Sequence, residues 1–286
     1  MLTRRLLPAI NAYRGVPAPA RLDCAPALGR LGSLEVRLAQ TAAEVRQAQK
    51  LRYHVFYQEG GASGRVASRI VRRDIDAFDA ICDHLLVVDH AAGAAVVGTY
   101  RLLRQEIAER HTGFYSAAEF DVGALVARHH ALRFLELGRS CVLAPYRNKR
   151  TLELLWHGIA AYSTHNRPDV MIGCASLDGT DPDRLALPLS FLHHPARAPE
   201  AWRAHALPER AIEMNRLPKD AIDPKAALRV LPPLIKGYLR LGAHIGEGAV
   251  IDRQFGTTDV LIVLRMAAIK ERYYSYFGGR AEQVAA

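Results

Sequence analysis

Apolar and polar residues along this chain change their period at intervals, and the changes mark out strands and helices. Residues 33–39 (Ser-Leu-Glu-Val-Arg-Leu-Ala) alternate and predict a first strand. Thr41-Ala-Ala-Glu44 then carries the spacing of a capping box, in which hydroxyl and carboxylate satisfy free amides at a helix start. The helix that follows sets Val45, Ala48, Leu51, Val55 and Phe56 on one face. Glycines and polar residues from Glu59 to Arg69 predict a loop, and residues 72–79 form a mixed-charge segment with three acids. Residues 84–89 and 95–103, either side of a small-residue turn through Gly93, predict an antiparallel hairpin. Residues 113–121 are irregular, aromatic and acidic.

The most informative stretch comes next. Residues 131–142 form an apolar strand with Glu136 and Arg139 at its centre, and the turn Arg147-Asn-Lys-Arg150 leads into an amphipathic helix from Thr151 to about Asn166. Residues 169–175 predict another strand, and Asp181-Pro182 a helix running to His193. Residues 195–225, rich in proline and arginine, predict an inserted excursion. Residues 232–242 predict a helix entered by prolines and stopped by glycine, and residues 249–251 and 258–264 are strands. The alternation predicts an α/β domain with a mixed sheet over residues 34–265, an N-terminal extension over 1–33 and a C-terminal tail over 266–286.

Half of the 286 residues are hydrophobic, ample for a sizeable core, and the net charge of +9 suits an acidic partner. Cys24, Cys82, Cys141 and Cys174 lie far apart without a C-x-x-C pair, which predicts reduced cysteines and a cytoplasmic protein. The apolar runs have strand length, so no transmembrane helix is expected, and no signal peptide. Two segments, Leu2 to Arg14 and Ile269 to Phe277, set apolar residues against Arg and Lys. They are candidates for peripheral contact with an anionic membrane at its inner face, or for packing on the domain. The twelve histidines show neither H-x-x-x-H nor H-E-x-x-H, so no metal is expected. Ser140 and Cys141 lack the G-x-S-x-G turn of a nucleophile.

A helix N-terminus carries free N–H groups and partial positive charge, to which Arg147, Lys149 and Arg150 add full charges. The strand, turn and helix therefore suit a phosphate held beside the carboxylate of Glu136, as acyl transfer from a phosphopantetheine carrier requires. A thioester needs only an unprotonated amine, an oxyanion site and a leaving thiol. Glu136 is the candidate catalytic base for removing the amine's proton, against the alternative that it pairs structurally with Arg139 or Arg101.

Leu51-Arg-Tyr-His-Val-Phe56, Gly98-Thr-Tyr-Arg101, Glu136-Leu-Gly-Arg139, Tyr146-Arg-Asn-Lys-Arg150, Leu155-Trp-His-Gly158 and Lys236-Gly-Tyr-Leu-Arg-Leu-Gly242 together resemble the acyl-carrier-dependent members of the GNAT superfamily. Within it the chain resembles the L-ornithine N-alpha-acyltransferases of ornithine lipid synthesis and, less closely, the acyl-homoserine-lactone synthases. The resemblance implies a GNAT-like mixed central sheet flanked by helices. It implies transfer of a 3-hydroxyacyl chain from acyl carrier protein to the alpha-amino group of L-ornithine, giving a lyso-ornithine lipid. No bound cofactor and no nucleic acid partner are implied. The turn departs from the glycine-rich turn of acetyl-CoA-binding relatives, and its cations suit a single pantetheine phosphate better than a nucleotide diphosphate. Val142, Leu143, Arg147, Asn148, Lys149, Arg150 and Thr151 are then the expected phosphopantetheine site, with backbone N–H groups near Val142 and Leu143 meeting the oxyanion. For ornithine, Arg52 and Arg101 are candidates for the carboxylate and Asp76, Asp79 and Glu119 for the distal ammonium, and Arg139 is a further candidate for substrate binding. The competing functions are an acyl-homoserine-lactone or other long-chain N-acyl amino acid synthase, and a non-catalytic membrane-active or carrier-binding protein.

Overall fold

The capping box at Thr41 forms as its spacing predicts: Glu44 N donates to Thr41 Oγ1 at 3.3 Å and Thr41 N donates to Glu44 Oε2 at 3.1 Å. It opens α1 (Ala42–Tyr53) in the computed structural model, which describes residues 27–63 and 66–269. Before it stand β1 (Gly29–Leu31) and β2 (Leu34–Leu38). The end of α1 widens into a π-helical turn, His54–Glu59, and a short helix α2 (Val66–Val71) lies inside the stretch expected to be a loop. The predicted hairpin is β3 (Asp83–Asp89) and β4 (Ala95–Arg104). After α3 (Gln105–Ala108) and α4 (Val122–Arg128) come β5 (Phe134–Val142), α5 (Lys149–Asn166) and β6 (Val170–Asp178).

The helix expected from Asp181 begins later, as α6 (Ala186–His193), because Asp181 instead closes a turn by accepting from Asp183 N at 3.0 Å. Residues 195–225, read from the sequence as an inserted excursion, lie against the sheet. They contain β7 (Ala211–Ile212), and Arg197 and His205 form bridges to Ile245 and Glu247, so their backbone polar groups complete the sheet edge. The chain ends in α7 (Pro224–Val230), α8 (Pro233–Leu241), β8 (His244–Ile245), β9 (Ala249–Asp252) and β10 (Thr257–Arg265). The N-terminal amphipathic segment and Cys24 lie outside the described residues, as does the C-terminal segment beyond Ile269. No helix among the described residues is long and apolar enough to cross a membrane.

The strands form one sheet in the order β1-β2-β3-β4-β5-β6-β10-β9-β7, with β8 also on β10. All of its ladders are antiparallel except β5–β6, which is parallel. Both faces are covered. Leu85 and Val87 of β3 point to the α5 side with Leu155 and Ile159, and Leu86 and Val88 point to the α1 side with Ala48. That two-sided burial explains the unbroken apolar run of β3, each such side chain contributing about 1.5–3 kcal/mol. α5 lies so close to β2 that a Cβ on Gly158 would sit 2.5 Å from Val36 Cγ2.

Candidate active site

The β5–β6 ladder pairs only Phe134, Glu136 and the residue between them with Val170 to Ile172, and then the strands part. Contact at the parting point is tight, since a Cβ on Gly173 would lie 2.2 Å from Leu137 O. On its other side β5 bulges: Gly138 opposes Arg101 and Cys141 opposes Thr99, so Arg139 and Ser140 together face Tyr100. Arg139 takes the left-handed conformation, with φ 52°, at a cost of about 1–2 kcal/mol for a residue with a Cβ. Three residues apart, Glu136 and Arg139 would face opposite sides of a regular strand. Here both line the cavity of about 350 Å³ that fills the gap, as do Leu137, Gly138 and Ser140.

Glu136 is buried and makes no ion pair with a described residue. Neutral donors hold it: Tyr115 N reaches Oε2 at 2.7 Å, while Ser116 N and Ser116 Oγ reach Oε1 at 2.8 and 2.6 Å. All three come from the short 3-10 turn Tyr115–Ala118, in the segment that reads as irregular. Burial pushes the Glu136 carboxyl above the ordinary carboxylate range, against the pull of those donors. The expected alternative, a structural pair with Arg139 or Arg101, is absent, because both arginines are engaged elsewhere.

Their partners form a closed network. Arg52, wholly buried, donates from Nε to Asp74 at 2.8 Å and from Nη2 to Asp79 at 2.8 Å. Arg101 pairs with Asp76 at 2.6 Å and Asp79 at 3.2 Å, and Arg139 pairs with Asp74 and Asp76, each at 3.2 Å. Three guanidiniums thus balance three carboxylates. Arg52, Asp76 and Asp79 do not line the cavity, and Arg52 and Asp79 satisfy one another instead of opening toward a substrate. Arg101 and Arg139 do line it, with the Arg139 guanidinium 4.6 Å from the Tyr115 ring centre and 5.0 Å from that of Phe255. Sequence reasoning left Asp74 without a role, although the acid-rich run 72–79 contains it.

Across the cavity stands an acidic wall that the sequence reading found only in part. Asp252 and Asp259 line the cavity, and their carboxylates and that of Glu119 lie within 4.8 Å of one another. Burial, with Asp259 beside it, pushes Glu119 up to about 7, even though Arg210 pairs with it at 3.1 Å. Asp259 is likewise raised by burial, with Asp252 adding to the shift against the Ser176 and Thr257 hydroxyls. An acid inside the apolar run of β10 is the same signal that singles out Glu136, and it was available for Asp259. A second carboxylate and imidazole group, His193, Glu213 and Glu247, is crossed by Arg197, which pairs with Glu247.

The basic turn is partly occupied by its own chain. Asn148 caps α5, its Oδ1 accepting from Thr151 N at 3.1 Å. Arg147 pairs with Glu59 and donates to Val142 O at 2.9 Å, and Lys149 lies 3.6 Å from Glu153. Arg150 is exposed and has no ion-pair partner among the described residues. Leu143 N donates to Val97 O at 2.9 Å, so that amide is not free to meet an oxyanion. The edge of β5 from Gly138 to Ser140 has no strand opposite it on the cavity side.

Residues 51–157 match the family described as the acetyltransferase (GNAT) domain. The chain is 54% identical over 260 residues to an L-ornithine N(alpha)-acyltransferase of Agrobacterium fabrum strain C58, spanning 90% of this chain and 89% of the relative. It is 53% identical over 277 residues to an L-ornithine N(alpha)-acyltransferase of Rhizobium meliloti strain 1021, spanning 95% and 92%. Among solved structures it is similar to FeeM, an N-acyl amino acid synthase from uncultured soil microbes, with 10% identity, a TM-score of 0.46 and coverage of 82% of this chain and 91% of that one.

Proposed function

The chain belongs to the family of L-ornithine N(alpha)-acyltransferases, and from that premise we propose that it transfers a 3-hydroxyacyl group from the phosphopantetheine thioester of acyl carrier protein to the α-amino group of L-ornithine. The product is a lyso-ornithine lipid. Glu136 carries the reading: a buried carboxylate in direct contact with neutral donors and with no ion-pair partner among the described residues, on the wall of a cavity where two strands part. It takes a proton from the α-ammonium, directly or through a water. The freed amine attacks the thioester carbon, a C–N bond forms, the C–S bond breaks and the thiol leaves with a proton.

Arg139, which lines the cavity, orients the substrate carboxylate, with Arg101 behind it. Asp259 and Asp252, with Glu119, receive the distal ammonium, whose charge favours the ionised form that burial disfavours. The free edge of β5 from Gly138 to Ser140 supplies amides to the oxyanion. Arg147, Lys149 and Arg150 at the start of α5 take the pantetheine phosphate, which competes with Glu59 for Arg147.

The test offers carrier-bound and coenzyme A-bound 3-hydroxyacyl donors with ornithine, lysine and 2-aminopentanoate, reading product mass. Ornithine with the carrier-bound donor gives the highest kcat/KM. Asp259→Asn raises KM for ornithine about 10-fold to 100-fold and leaves that for 2-aminopentanoate, which lacks the distal amine, unchanged. Equal losses on both amines would remove Asp259 from the ammonium site, and a product formed only with another donor or acceptor would overturn the assignment.

A further inference from the structure

α8 stands between two spaces. Leu234 and Tyr238 close the catalytic cavity on one side. Lys236, Leu239 and Arg240, turned the other way, line a second cleft of about 720 Å³ with Phe191, Leu228 and Arg229. No acid lines it. Among the described residues, none of Arg229, Lys236 and Arg240 has an ion-pair partner, whereas most cations around the active site are paired. Leu228, on its lining, is 42% exposed, and Val230, the last residue of α7 and not part of the lining, is 58% exposed, two of the five large hydrophobic side chains exposed among the described residues.

Unpaired cations beside protruding aliphatic side chains match, in order, the phosphate layer and the acyl boundary of an anionic bilayer. An acidic protein surface would satisfy the cations but would leave Leu228, Val230 and the apolar walls without a partner of like polarity. We propose that this cleft docks the protein on an anionic phospholipid bilayer. A headgroup phosphate sits among Arg229, Lys236 and Arg240, and Leu228 and Val230 reach toward the acyl chains. The α8 wall of the catalytic cavity then lies against the membrane, where an acylated product dissolves. That consequence rests on the proposed reaction, while the docking itself does not and is read without it.

The experiment sediments the full chain with vesicles of phosphatidylglycerol and, separately, phosphatidylcholine, and compares it with Lys236→Glu/Arg240→Glu, Leu228→Asn/Val230→Asn and the conservative Lys236→Arg/Arg240→Lys. The parent binds phosphatidylglycerol vesicles and not phosphatidylcholine. Charge reversal weakens binding roughly tenfold or more, since each cation near an anionic surface is worth about a factor of five. The asparagine pair weakens it several-fold, and the conservative pair binds like the parent, with melting temperatures unchanged throughout. Equal binding to both lipids, or undiminished binding by the charge-reversed protein, overturns the proposal. So does loss of binding to acyl carrier protein while vesicle binding stays intact, which would give the cleft to a protein partner.

Discussion

Two buried charged regions stand side by side under the same sheet and handle charge in opposite ways. Around Arg52, three guanidiniums and three carboxylates cancel, and every carboxylate touches a cation. At Glu136 a single carboxylate is held by two amides and a hydroxyl. Burial pushes Asp79 upward, but the Arg52 and Arg101 charges outweigh it and hold its carboxyl below the ordinary range; burial wins at Glu136 and raises it. A carboxylate held down by arginine is a poor base. One raised by burial and touched only by neutral donors is better suited to taking a proton. Equal burial therefore separates scaffold from chemistry only when the charges are counted.

Exchange of the two carboxylate settings by mutation breaks or sharpens that contrast. Glu136→Gln keeps the size of the side chain and removes the proposed base. The expected result is a fall in kcat of about 10²–10⁴-fold with carrier binding retained, read by steady-state kinetics and by a carrier titration. A fall of less than about tenfold would return Glu136 to the scaffold. Arg52→Met removes one of the two guanidiniums that each of Asp74 and Asp79 touches, leaves the buried network one positive charge short, and should cost about 3–5 kcal/mol in denaturant unfolding, with activity lost only as the protein unfolds. A fully folded Arg52→Met protein with a raised KM for the amino acid would place Arg52 at the substrate instead. A smaller effect is expected at the turn. Lys149→Glu/Arg150→Glu should raise KM for the carrier donor several-fold, more at low salt than at high, and leave KM for the amine unchanged. Equal shifts in both constants would take the turn out of donor binding.

Much of this frame was legible because its signals are local. The Thr41 capping box, the hairpin on either side of Gly93 and the strand to helix passage from Phe134 to Asn166 are each encoded within a few residues. Arg52 and Asp79 were found as chemistry-bearing residues but not as each other's partners, since 27 positions separate them. Tyr115 and Ser116 were missed because two of their three bonds to Glu136 come from amides, which carry no side-chain signal, and only the fold brings this turn and the Ser116 hydroxyl over β5. The bulge at Arg139 was also invisible, because a left-handed arginine violates the local preference that sequence reading relies on. β1, three residues long, and β7, two, are shorter than any period can reveal.

The finest test of the contrast lies in one hydroxyl. Ser116 Oγ donates to Glu136 Oε1 at 2.6 Å, and this bond favours the ionised carboxylate. Ser116→Ala removes that donor and leaves the two amides, so the carboxyl, already raised by burial, rises further. In the proposed reaction Glu136 acts in its deprotonated form. The acidic limb of the kcat profile should therefore move to higher pH, and the rate on the acidic side should fall more than the rate on the alkaline side. At high pH the variant should approach the parent, a recovery that a merely structural serine would not produce. An unmoved limb with a uniform loss at all pH values would mean that Glu136 is not the group whose proton is being read. The Arg52 network offers no such test, since there each carboxylate touches a guanidinium and no single neutral hydroxyl governs it.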